Sequence, residues 1–256
     1  MTHDVRKELD GMPPGTHAVL VYDSEARKQD ALFTHLKVGG KYDDLVYVCS
    51  EETPAEAETA MRRFGLDVDE RKREGTLTVK NYDEVYIVEG EVDSPAIIKR
   101  FSDRTYDDIQ RGYGMRAAAE MSCFFDHRKV DELVKYENDL HRKFSFPAMG
   151  LCGYSLVKMV NSGNLEAFWP ILNAHALVIM TGPNGSFALK PEEIDSRDVE
   201  KTMGAPRAAF RRADSKKLDV SPADQLVTVV DPALTDIVPV EHVGDHHVLD
   251  VHVRLP

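Results

Sequence analysis

Apolar and polar positions fall into alternating blocks along most of this chain. An unbroken apolar run at residues 18–22 reads as a strand buried on both faces. A helical pattern follows, opened by Asp23 or Ser24, with Leu32, Phe33 and Leu36 facing inward and Gly39-Gly40 at its end. Residues 45–49 give a second strand. Thr53-Pro54-Ala55-Glu56 then marks a helix start, with Thr53 as N-cap, Pro54 in the first turn and Glu56 completing a capping box. Ala57, Met61 and Phe64 form its inner stripe, and Gly65 stops it. Residues 77–80 read as a third strand, and residues 81–94 as a polar, acidic connection.

Ser94-Pro95 opens another helix carrying Ile97, Ile98, Phe101 and Ile109. Residues 115–120 form a strand ending in an acid, and residues 126–144 one long helix. Two more strands, at 148–154 and 176–180, flank a helix near 163–173 that Pro170 kinks or restarts. Strands alternating with helices imply parallel pairing through right-handed crossovers. The expected fold is therefore α/β, a doubly wound, mainly parallel sheet with helices on both faces. Ligands in such sheets sit beyond the strand carboxyl ends. The texture changes after residue 182. Residues 183–224 read as a linker with short helices, and residues 225–256 as a small C-terminal β extension.

Composition narrows the function. Acidic residues exceed basic ones, 44 against 32, so the net charge is −12. That argues against direct nucleic-acid binding, which needs a basic face. No apolar run approaches the ~20 residues that span a bilayer, and the first residues carry no signal-peptide core. Three cysteines without metal-type spacing give no disulfide framework, so a reducing cytoplasm is the expected setting.

The turn after the first strand is where a nucleotide-binding fold holds its phosphate loop, G-x-x-x-x-G-K-[ST]. Here it reads Tyr22-Asp23-Ser24-Glu25-Ala26-Arg27-Lys28. It has no glycine to wrap a phosphate, and Asp23 and Glu25 would repel one. ATP hydrolysis by that route is not expected.

The run Gly15-Thr16-His17-Ala18-Val19-Leu20-Val21-Tyr22, then Leu45-Val46-Tyr47-Val48 and Glu51-Glu52-Thr53-Pro54, resembles the KaiC branch of RecA-like ATPases with its phosphate loop erased. The chain resembles more closely the MEDS family, the methanogen/methylotroph DcmR sensory domain. Phe64-Gly65-Leu66-Asp67, Gly75-Thr76-Leu77, Glu120-Met121-Ser122, Tyr136-Glu137, Leu151-Cys152-Gly153-Tyr154 and His175 carry that likeness, across residues 14–182. It implies a RecA-like sensory domain responding to a small molecule, hydrocarbon derivatives in methylotrophs and methanogens, or to a partner protein.

The candidate ligand site is built on Glu120, at the end of its strand, with Glu52, Tyr22 and Tyr154 closing neighbouring strands at the same end. His17, Cys152 and His175 join it as further ligand-binding candidates. Glu137 falls on the apolar face set by Val130, Leu133 and Val134, and needs a partner there, whether arginine, histidine, tyrosine or a backbone donor. The reading is a sensory or signalling module, assembled as a homo-oligomer, that binds a small ligand without catalysis. The sequence names no cofactor. Two rivals remain: a metal- or cofactor-dependent enzyme or redox protein using His17, Cys49, Cys152, His175 and Glu120, and a degenerate ATPase-like scaffold that binds nucleotide weakly. A histidine-rich run (His242, His246, His247, Asp250, His252) and a basic cluster (Arg207, Arg211, Arg212, Lys216, Lys217) are further candidates for a metal and an acidic partner.

Overall fold

In the computed structural model, which describes residues 3–205 and 207–210, a short helix α1 (His3–Asp10) precedes the first strand and buries Val5 and Leu9. All six residues of β1 (His17–Tyr22) are buried, which explains its unbroken apolar run. Then come α2 (Glu25–Val38), β2 (Asp43–Cys49) and α3 (Pro54–Phe64). The start of α3 is the capping box that the sequence signals. Thr53 Oγ1 accepts from the Glu56 amide, and the Glu56 carboxylate accepts from the Thr53 amide. Gly65, at φ 89°, ends the helix in the left-handed region that only glycine enters without strain.

A short helix α4 (Val68–Glu74) leads into β3 (Leu77–Asn81), and α5 (Ser94–Gln110) into β4 (Gly114–Glu120). The single long helix expected over residues 126–144 is two. They are α6 (Cys123–Asp126) and α7 (Val130–Leu140), separated where Arg128 takes φ 56°. The break lets α7 leave at a new angle and lay Leu133, Tyr136, Glu137 and Leu140 on the sheet. β5 (Ala148–Ser155) is buried along its whole length. After α8 (Leu156–Asn161), α9 (Phe168–Asn173) starts afresh with Pro170 in its first turn, where the missing N–H is not needed. β6 (Leu177–Gly182), β7 (Gly185–Leu189) and α10 (Ser196–Met203) follow.

The linker expected from residue 183 onward therefore gives way at its start to ordered structure. β7 folds back antiparallel on β6, and α10 packs over that hairpin. A Cβ at Gly182 would lie 2.3 Å from the Thr202 carbonyl oxygen, so glycine at the end of β6 is what lets α10 approach. The C-terminal strands expected at 226–253, the histidine run and the basic residues beyond Phe210 lie outside the described residues.

Seven strands make one sheet in the order β3-β2-β4-β5-β1-β6-β7. Every neighbouring pair is parallel except β6 and β7. Helices cover both faces. On one face α1–α4 pack against Leu20, Tyr22, Tyr47 and Leu151. On the other, α5–α10 pack against Val19, Val21, Cys152 and Tyr154. No helix among the described residues is long and apolar enough to cross a membrane.

Candidate functional site

The polar residues singled out in the sequence separate into two buried clusters, one on each face of the sheet. The alternation of a strand decides which goes where. Tyr22 and His17 both belong to β1, but an odd step apart, and so they face opposite sides. Cys152 and Tyr154, an even step apart on β5, share a face.

The first cluster lies at the carboxyl ends of β1, β2 and β4. Glu120 ends β4 with its side chain fully buried. Its Oε1 lies 2.6 Å from Lys28 Nζ, which α2 brings in, and accepts from the Tyr47 hydroxyl. Its Oε2 accepts from the amides of Ser50 and Glu51, each at 2.7 Å. Burial pushes the Glu120 carboxyl up, but Lys28 and these donors outweigh it and hold the group below its usual range. Burial likewise disfavours the Lys28 ammonium, and Glu120 and Glu25 more than restore it. Glu25 Oε2 completes the lysine's surroundings at 2.8 Å.

Glu52 sits at the rim of this cluster, 3.9 Å from Lys28. Its carboxyl is pushed up to about 7, by burial first and then by the charge of Glu120, with Lys28 opposing. Tyr22 donates to Glu51 Oε1 at 3.2 Å. Cys49 lies on this face too, donating to the Lys80 carbonyl at 3.1 Å, and burial pushes its thiol up to about 12. An acidic groove lined by Glu25, Glu51, Glu52 and Glu56 opens above, but Glu120 does not line it. Every oxygen of Glu120 already has a partner within the protein. Little in the residue pattern flags Lys28, although Lys28, Ala31, Leu32 and His35 share one buried helical stripe.

The second cluster lies under α7 and takes His17, Cys152, Tyr154 and His175 away from Glu120. Its centre is Glu137, fully buried on α7. Tyr154 donates to Glu137 Oε1. Glu137 Oε2 lies 3.0 Å from His17 Nε2 and 3.5 Å from His175 Nε2. Cys152 Sγ is 3.6 Å from His17 Nε2. So the carboxylate that the sequence required to be paired finds histidine and tyrosine partners. Burial pushes the Glu137 carboxyl up, yet His175, His17 and Tyr154 together keep it low. Burial pushes His175 down to about 3, with His17 adding to the effect. Burial and Glu137 push the Cys152 thiol well above its ordinary value.

Beside this cluster is a small apolar cavity of about 30 Å³. Tyr86, Tyr136, Phe144, Phe146, Ala148 and Cys152 are among its walls. Most of the lining is buried, whereas Phe101, Ala117 and Phe144 are half-buried and lie on its outer side. Phe144 links cavity and cluster, its ring centroid 4.8 Å from that of His17. Gly150 makes room for that ring, since a Cβ there would lie 2.6 Å from Phe144 Cζ. About 30 Å³ of such space is room for roughly two or three heavy atoms, because one water needs about 10–15 Å³.

The chain was also compared with known proteins. Residues 16–168 match the family model of the methanogen/methylotroph DcmR sensory domain, MEDS. Among solved structures, a KaiC-like protein from the hyperthermophilic archaeon Pyrococcus horikoshii is similar, at 17% identity and a TM-score of 0.46, covering 66% of this chain and 72% of that one. No curated protein matches the chain significantly.

Proposed function

The chain belongs to the MEDS family of sensory domains, and we propose that it senses a small, uncharged organic molecule held in the apolar cavity beside Cys152, without hydrolysing ATP. The observation that carries this reading is the juxtaposition on one face of the sheet. An apolar space of about 30 Å³ adjoins a fully buried polar cluster, so a small molecule with one polar end would meet aromatic rings along its body and Cys152 at its head. An anion does not suit this space, whose lining carries no basic side chain.

The case against ATP chemistry comes from the other face. The turn from Tyr22 to Lys28 lacks glycine. Lys28, beside the strand ends, is held by Glu120, Glu25 and Glu51, so its charge is already met within the protein. A cytoplasmic setting and a signalling partner or second copy of the chain as the receiver of the change fit this reading.

The test is a thermal-shift and NMR titration of the full-length protein with short alcohols and halogenated methanes. Binding should be saturable and should shift the aromatic resonances of Tyr136 and Phe144. Ala148→Leu, which fills the cavity while its circular dichroism stays native, should abolish it. If no member of the panel saturates, or if Ala148→Leu binds as the parent does, the cavity is not the sensory site.

A further inference from the structure

Two histidines of the buried cluster are held in one tautomer by backbone carbonyls. His17 Nδ1 lies 2.8 Å from the His141 carbonyl oxygen, and His175 Nδ1 lies 2.7 Å from that of Ile171. A carbonyl oxygen only accepts, so each Nδ1 must carry the hydrogen. The Nε2 atom of each ring is then turned inward, towards Glu137 Oε2. Glu137 Oε2 and His175 Nε2 then face each other as two acceptors, while the Cys152 thiol lies 3.6 Å from His17 Nε2. Glu137 Oε2 and His175 Nε2 are both buried without a hydrogen-bond partner. The Cys152 thiol completes the group, and all four ligand atoms lie within 4.8 Å of one another.

The four atoms are close enough for one small cation to draw them together. Zinc bonds of about 2.0–2.1 Å to nitrogen or oxygen and about 2.3 Å to sulfur require edges of roughly 3.3–3.7 Å between ligand atoms. Three of the six edges here are 3.0, 3.5 and 3.6 Å, and the other three are no longer than 4.8 Å. A shell behind the ligands is present as well. The two carbonyls orient the imidazoles, and Tyr154 donates to the other oxygen of Glu137. His141 takes φ 59° and ψ 171°, a conformation that favours glycine, and its carbonyl is the one that fixes His17.

We infer that His17, Glu137, Cys152 and His175 form a tetrahedral site for a divalent cation of zinc type. Two imidazoles, a thiolate and a carboxylate are a borderline-soft set that suits Zn²⁺ better than Mg²⁺ or Ca²⁺, which take oxygen ligands. Binding releases the Cys152 proton to solvent and gives Glu137 Oε2 and His175 Nε2 the partner they lack. This deepens the sensory reading by naming what stands at the polar end of the cavity, but it rests on the cluster alone.

The test uses full-length protein purified without chelators or a metal-affinity tag. Mass-spectrometric metal analysis after zinc dialysis should find about one zinc per chain. Cobalt in its place should give the intense visible bands of a tetrahedral site and a thiolate charge-transfer band. Cys152→Ser should lose that charge-transfer band, and Glu137→Gln should weaken zinc binding by about tenfold or more. If either variant unfolds, cobalt spectra of the parent protein decide alone. Folded protein that takes up no zinc and gives no tetrahedral cobalt spectrum overturns the site. So does ¹⁵N NMR showing His17 Nε2 protonated in zinc-dialysed protein, since a proton would then hold the cluster together. Saturable organic binding by a protein that takes up no zinc would overturn the metal and leave the sensory cavity standing. Stoichiometric zinc with no organic binding would do the reverse.

Discussion

Lys28 Nζ lies 2.6 Å from Glu120 Oε1, and neither side chain reaches solvent. The ammonium comes from the second turn of α2 and the carboxylate from the end of β4, so one ion pair ties a covering helix to the sheet at its ligand-facing edge. Glu120 is thereby a structural anchor, and the crevice expected around it is filled by the protein's own cation.

Breaking that pair on one side leaves a charge buried without its counterion. Lys28→Met is expected to lower the unfolding free energy by about 3–5 kcal/mol, and Glu120→Gln by a similar amount. The double variant should recover a large part of the loss. Urea unfolding followed by circular dichroism checks both. A Glu120→Gln protein as stable as the parent would show that the pair adds nothing.

Glu52 should give stability a dependence on pH. Its folded carboxyl titrates at about 7, above the ordinary value of 4.5, so the folded state binds more protons than the unfolded state between those values. Stability therefore falls as pH rises through that window and stays lower above it. Glu52→Gln removes the penalty. It should stabilise the protein by about 1–3 kcal/mol at pH 8 and have little effect near pH 4.5. Denaturation curves of both proteins at the two pH values decide it.

Full-length protein with magnesium and ATP is expected to release phosphate no faster than buffer. A steady magnesium-dependent turnover, lost in Glu51→Gln or Glu52→Gln, would contradict the reading of an erased phosphate loop.

Gly150→Ala should disturb the second cluster from a distance. The new methyl group meets Phe144, whose ring stacks 5.0 Å from that of Phe146 and borders His17. Overpacking of this kind costs about 1–3 kcal/mol. Proton NMR should show shifted aromatic resonances around Phe144 and Phe146, and an unchanged spectrum would mean that the ring has room to spare.

The sheet was legible in the sequence because its strands are buried on both faces and read as apolar blocks, β1 and β5 above all. The cap of α3 was legible down to the residue. β7 was not, because Gly-Ser-Phe-Ala-Leu at an edge shows neither a block nor an alternation. The break before α7 was hidden because Arg128 adopts a backbone angle that no side-chain pattern announces. The single crevice failed for a different reason. Tyr22, Glu120 and Tyr154 close neighbouring strands at one end, but Tyr154 pairs with Val21, so the pleat turns it to the face opposite Tyr22. Glu137 was the informative residue, since a carboxylate on an apolar stripe demanded partners and found them.

The position of β1 also sets the order in which the molecule can close. β1 is made before the other six strands of this sheet, yet it pairs only with β5 and β6, at residues 150–155 and 177–181. β2, β3 and β4 can join one another while β1 still waits on the ribosome with its apolar run uncovered. Such distant pairing is slow and leaves sticky surface exposed in the interval. Tyr22 belongs to one buried cluster and His17 to the other, so neither is complete until β1 slides between its late partners. A chain cut short before β6 would leave β1 with only one of its two neighbours in the sheet.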